Sequence, residues 1–152
     1  RYSAIRIYFG TWSLTDGTPK ARLGPIAPDR GAAKAMQGSL IGTYFERLAR
    51  GDAAIVDCFE PDGYFREPAN NYACGRDQLE AHFSNILKLG GVGVELLTAT
   101  CDKETFAFEV QTITWGTKRM PAPQAGFASY DLGRHGKVAG ARVYDSVVPP
   151  EL

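Results

Sequence analysis

The chain has 152 residues and a mass of 16.5 kDa, enough for one domain with its own hydrophobic core. Its 17 basic and 17 acidic residues cancel, and no Lys/Arg cluster falls on one segment, so the electrostatic footprint of a nucleic-acid or anionic-membrane partner is missing. The cysteines Cys58, Cys74 and Cys101 are too few and too far apart for a disulfide scaffold and read as free thiols of a reducing, cytoplasmic setting, and no apolar run is long enough to span a membrane.

Residues 1–9 alternate, with Ile5 and Ile7 on one face and Arg6 and Tyr8 on the other, which predicts a strand ending near Gly10. From Thr15 to Gly31 the steps Asp-Gly, Thr-Pro, Gly-Pro and Ala-Pro follow in quick succession and predict an extended linker. Residues 1–31 are therefore set apart from a domain over 32–152. The opening Ala4-Ile5-Arg6-Ile7-Tyr8 echoes Gly140-Ala141-Arg142-Val143-Tyr144 about one small domain later. That echo fits either the last strand of a preceding copy in a tandem protein or an ordinary N-terminal edge strand. The chain does not begin with methionine, as expected of a piece of something longer.

A helix is predicted over 32–49, with Leu40, Ile41, Tyr44, Phe45 and Leu48 on one stripe and Gly51 as its stop. Asp52 can accept the orphan amides of a short helix over 53–59. Asp62-Gly63 turns the chain into a strand over 64–67, and Pro68 holds Glu67 extended. A third helix over 76–89 carries Leu79, His82, Phe83, Ile86 and Leu87 on its apolar side, and Gly90-Gly91 ends it. Strands are predicted over 92–101, 105–115, 125–132 and 138–148, separated by turns at Asp102-Lys103, Gly116-Thr117 and Gly133 to Gly136. Helices first and a long antiparallel meander afterwards is the order of an α+β fold, with helices on one face of a curved sheet and room for a pocket between the layers.

Tyr44, Leu48, Gly51-Asp52, Ile55-Val56, Phe59, Asp62, Glu67-Pro68, Gly75, Leu79, Phe83, Phe106-Ala107-Phe108, Val110, Gly136-Lys137-Val138 and Arg142 together form a pattern over roughly residues 36–148. It resembles the nuclear transport factor 2-like superfamily, and within it the SnoaL-like polyketide cyclases and the ketosteroid isomerases. The resemblance implies a cone-shaped, strongly curved mixed or antiparallel sheet wrapped on three N-terminal helices, an internal apolar pocket, and commonly a homodimer. It also implies roles for two residues: Tyr44 as a helical oxyanion donor, and Glu67, the carboxylate immediately before a proline, as the base. The family's third position, a strand aspartate, falls near Ala125 or Gly126, which carry no acid.

Read from the residues alone, Glu67 is either a general base raised by burial or a rim carboxylate paired with Arg66, Arg76 or Arg142. Tyr44 is either a core tyrosine or a pocket donor. His82 is either a pocket acid/base or a packed core residue, whereas His135, in a Gly-bounded turn, reads as solvated. Tyr72, Trp115, Tyr130 and Tyr144 suit contact with a flat hydrophobic ligand, or ordinary core filling, and Gln124 suits a fixed polar group at the pocket end. Trp115 shares a strand face with Glu109, Gln111 and Ile113 by alternation. Two distant histidines support no metal site, and no phosphate-binding loop or nucleophile elbow is present, so no cofactor is expected. The expected function is that of a cofactor-independent acid/base enzyme of isomerase, polyketide cyclase or dehydratase type acting on a small hydrophobic molecule. The alternative is a non-catalytic ligand-binding or dimerisation module of a larger or tandem protein, and the expected partner is accordingly a second copy or a tandem domain.

Overall fold

A computed structural model of the chain describes residues 31, 34, 36–67, 72–120 and 125–145. The predicted N-terminal strand, the linker apart from helical Gly31, and Gln124 lie outside the described residues.

The helix predicted over 32–49 is interrupted. Lys34 and Met36 are helical, but Gly38 takes φ 75° and the chain restarts at Ser39, whose Oγ accepts the Gly42 amide at 3.0 Å. Helix α1, Leu40–Arg50, then buries Ile41, Tyr44 and Leu48, spaced to fall on one side, and ends where Gly51 adopts the left-handed region. Asp52 caps a 3-10 turn over Ala53–Cys58 through the Ala54 amide. Strand β1, Phe59–Arg66, starts well before the predicted point, because the Asp62-Gly63 pair is carried as an irregularity within the strand. A short strand β2, Tyr72–Cys74, folds back on it. Helix α2, Arg76–Ile86, buries Leu79 and Phe83 and tightens into a 3-10 turn over Leu87–Leu89.

Strands β3, Val92–Cys101, and β4, Thr105–Trp115, form a long antiparallel hairpin, followed by β5, Lys118–Arg119, β6, Ala125–Leu132, and β7, Val138–Asp145. The result is an open seven-stranded mixed sheet in the order β2-β1-β7-β6-β4-β3, with β5 beside β4. Among the described residues only the β1–β7 pair is parallel. The core lies between the helices and the concave face, where Ile41, Ile55, Leu79, Phe83, Phe108, Val138 and Ala141 are almost wholly enclosed. The hairpin is drawn in close at its base: a Cβ at Gly91 would stand 1.9 Å from the Ala49 carbonyl, and one at Gly116 would stand 2.0 Å from that of Leu89.

The hairpin also corrects the predicted face of Trp115. A register shift between Gly93 and Val94 inserts an extra residue in β4 near Ile113, so simple alternation from Gln111 fails. Trp115 packs against the core cluster, and its indole donates to the Ile86 carbonyl at 2.9 Å. His135 is exposed, as expected of its turn, but it is also bonded. Its Nδ1 lies 2.5 Å from Oε2 of Glu60, a residue only 5% exposed, while the His135 and Lys137 amides donate to Oε1 at 2.8 and 3.4 Å.

These bonds, the His135 side-chain contact foremost, hold the Glu60 carboxyl below its ordinary value. A carboxyl lowered in the folded state contributes stability that is complete above its unfolded value, about 4.3, and lost as pH falls through the folded one. Thermal melts of Glu60→Gln should therefore lie below wild type at neutral pH, with the gap closing on acidification below about pH 4. A gap that persists unchanged into strong acid would contradict this account.

Candidate functional site

Tyr44 projects from α1 onto the concave face and is 3% exposed; Tyr130 rises from β6 to meet it and is 2% exposed. Their rings stand edge to face with centroids 5.3 Å apart, and Phe45, Phe59, Phe83 and Phe108 close around them. The two hydroxyls hydrogen-bond to each other. Burial is the largest influence on both phenols and pushes both pKa values well up, so both keep their protons across the physiological range. The two phenols are thus a mutually dependent, protonated pair, each able to donate or accept in their shared bond.

Glu67 follows β1 directly, is half-buried, and by alternation continues the face of buried Phe65. Its negative charge reaches both phenols, raising Tyr44 and Tyr130 further. Two of the three arginines considered for a rim ion pair are engaged with other acids. Arg76 bonds Asp57 at 3.0 Å and Glu80 at 2.7 Å. Arg142 faces the other side of the sheet, where it clasps Asp131 at 2.5 and 2.9 Å and donates to the Tyr64 hydroxyl at 2.9 Å.

His82 lies beside the same region. Its ring packs 4.7 Å from that of Phe65, its Nε2 is buried without a hydrogen-bond partner, and burial lowers its pKa, which favours the neutral imidazole. The other aromatic candidates are not gathered here. Tyr72 is 58% exposed with its ring against Tyr64, Tyr144 is 44% exposed opposite Phe127 on the outer side, and Trp115 is anchored to the end of α2.

Asp145 escaped the sequence reading. It is the cross-strand partner of Gly126, and its charge raises the Tyr130 pKa. The missing signal was the β6–β7 register, which short-range patterning does not carry. A groove of about 200 Å³ lies at the opposite end of β1, lined by Val56, Phe59, Glu60, Pro61, Arg76, Leu79 and Lys137, and none of the predicted site residues lines it. Among the described residues no helix is long and apolar enough to cross a membrane, and no three His, Cys, Asp or Glu side chains are grouped to hold a metal ion.

No protein-family model matches the sequence, and no curated protein matches it. Solved structures do resemble it. A nuclear transport factor 2-like protein of unknown function from Cytophaga hutchinsonii superposes with a TM-score of 0.56 at 13% identity, over 70% of this chain and 86% of that one. A proposed polyketide cyclase from Sinorhizobium meliloti gives 0.55 at 19% identity, over 68% and 92%. The epoxide hydrolase/cyclase-like enzyme SalBIII, described for pyran ring formation in the polyether salinomycin, gives 0.56 at 18% identity, over 77% and 92%.

The paired hydroxyls define a double-mutant cycle. Either single substitution leaves the other buried hydroxyl without its partner, and each phenylalanine variant should lose about 1–3 kcal/mol of unfolding free energy. The double variant, which removes both groups together, should lose less than the sum of the two. Denaturant unfolding measures this, and strict additivity would mean that the hydroxyls do not depend on each other.

Proposed function

We propose, from the premise that the chain has the nuclear transport factor 2-like fold, that it binds a small hydrophobic molecule over the Tyr44–Tyr130 pair and acts on it by cofactor-independent acid/base chemistry of the isomerase, polyketide cyclase or dehydratase kind. The observation that carries this reading is the convergence of a half-buried carboxylate on two buried, mutually bonded phenols. Glu67 takes the proton from carbon or oxygen of the ligand. Tyr44, bonded to Tyr130, gives a hydrogen bond to the oxyanion that develops. A donor already aimed at the developing charge in a water-poor site needs no reorganisation during the reaction, which is why one such bond is worth about a hundredfold in rate or more. His82, neutral and packed against Phe65, lies on the neighbouring helix. A proposed polyketide cyclase and an epoxide hydrolase/cyclase-like enzyme described for pyran ring formation, both among the structural neighbours, support this reading.

Exchange of the α-protons of 1-tetralone for deuterium, followed by mass spectrometry, tests proton abstraction without knowledge of the natural substrate. Wild type should accelerate the exchange above buffer. Glu67→Gln should reduce the acceleration by about 10²-fold or more, and Tyr44→Phe by a similar factor. Equal rates in wild type and Glu67→Gln would sink the enzymatic reading.

A non-catalytic dimerisation module is the second reading, and the outer face of the sheet favours it. Phe127 and Tyr144 oppose each other across β6 and β7 there and remain 37% and 44% exposed. Under this reading a second copy of the chain covers that pair, so sedimentation should give a dimer for wild type and a monomer for Phe127→Lys. A wild-type monomer at high concentration would dismiss it.

A further inference from the structure

We propose that Asp145 is a second carboxyl of this site, placed to select the charge of the ligand's reacting end. The inference rests on the reading of Tyr44, Tyr130 and Glu67 given above and adds a residue to it.

The sheet register carries the argument. Phe65 pairs with Ala141, Ala141 with Tyr130, and Tyr130 with Phe106, so these four residues form one row across the concave face. Val143, Ala128 and Phe108 form the next row, and Asp145, Gly126 and Val110 the one after. Side chains two residues apart share a face, so Asp145 points to the same side as Ala141 and Tyr130. Strand β1 runs parallel to β7 with Arg66 beside Arg142, so the same register carried one residue past the strand end would set Glu67 level with Val143. On that extension Glu67 and Asp145 are diagonal neighbours at the C-terminal ends of β1 and β7, with Cα atoms roughly 8 Å apart by ideal strand geometry.

Two further observations agree with that placement. A Cβ at Gly126 would stand 2.4 Å from Cβ of Asp145, so the glycine is what lets the strand bearing the aspartate come in this close. The negative charge of Asp145 reaches the hydroxyl of wholly buried Tyr130, as that of Glu67 does. A ligand lying over the two hydroxyls is therefore flanked by a carboxyl on each side. Each charge raises the energy of an anionic ligand relative to a neutral one, so the site suits a ketone, phenol or alcohol and disfavours a carboxylate.

The test uses two flat probes that differ in charge, 2-naphthol and 2-naphthoate, titrated calorimetrically into wild type, Glu67→Gln and Asp145→Asn. The readout is the ratio of the two affinities. A loss of packing alters both probes together, whereas removal of a nearby charge alters only the anion. Each amide substitution should shift the ratio toward naphthoate by about fivefold, the effect of one unit charge some 8 Å away at an intermediate dielectric, and the shift should shrink in high salt. A ratio that moves in Glu67→Gln but not in Asp145→Asn overturns the inference and leaves the underlying reading standing. A ratio that moves in Asp145→Asn alone keeps Asp145 in the site and removes Glu67 from it. Wild type that binds neither probe, or ratios that move in neither variant, overturn both.

Discussion

Two hydroxyls sealed from water inside an aromatic cluster must satisfy each other, and the Tyr44–Tyr130 bond meets that requirement. The constraint extends beyond the pair. Tyr44 sits midway along α1 between Ile41 and Leu48, so fixing its oxygen against β6 sets the height of the whole helix over the sheet. Phe45, Phe59, Phe83 and Phe108 then fill the remaining space edge to face, a geometry that aromatic quadrupoles favour. A helix displaced by one residue would bring a different side chain to the pair and leave a buried phenol without a partner. The polar bond is therefore a register device inside an apolar core.

The parallel pairing of β1 with β7 decides what surrounds that bond. Because the two strands run in the same direction, their C-terminal residues finish side by side, and Glu67 and Asp145 come to the same end of the sheet. Antiparallel pairing would have sent them to opposite ends. Alternation along the same strands turns Arg142 to the outer face, where Asp131, Tyr64 and Ser129 hold it. Strand direction and side-chain parity together separate the strong cation from the two acids.

Much of this architecture was legible in the sequence, because local signals dominate it. The Asp52 cap, the Gly51 stop and the alternating strands 92–101, 105–115 and 125–132 all appear where short-range rules put them. The misses have physical causes. Gly38-Ser39 is a helix stop and a new cap inside a long apolar pattern, and the pattern masked it. The extra residue near Ile113 turned Trp115 inward, and period-two counting cannot register an insertion. Strands β2 and β5 are three and two residues long, too short to show a period at all. Tyr44 and Glu67 were named from a motif, but their relation to Tyr130 and Asp145 depends on pairings between distant strands, and no local window contains that information.

Glu60 and Glu67 lie near the two ends of one strand and show how surroundings, and not residue type, assign a carboxylate its part. Glu60 is enclosed by donors: the imidazole of His135 and two backbone amides tie the β1 start to the turn before β7, and they stabilise its charge. Moving a proton onto such a group means breaking that set of bonds, so it serves the fold. The groove beside it shares that character, since the Arg76 on its wall is already bound to Asp57 and Glu80. Glu67 stands instead where its charge reaches two phenols that keep their protons near neutral pH. Its part in the proposed chemistry is set by that company of proton-bearing groups, as the part of Glu60 is set by the donors that hold its charge.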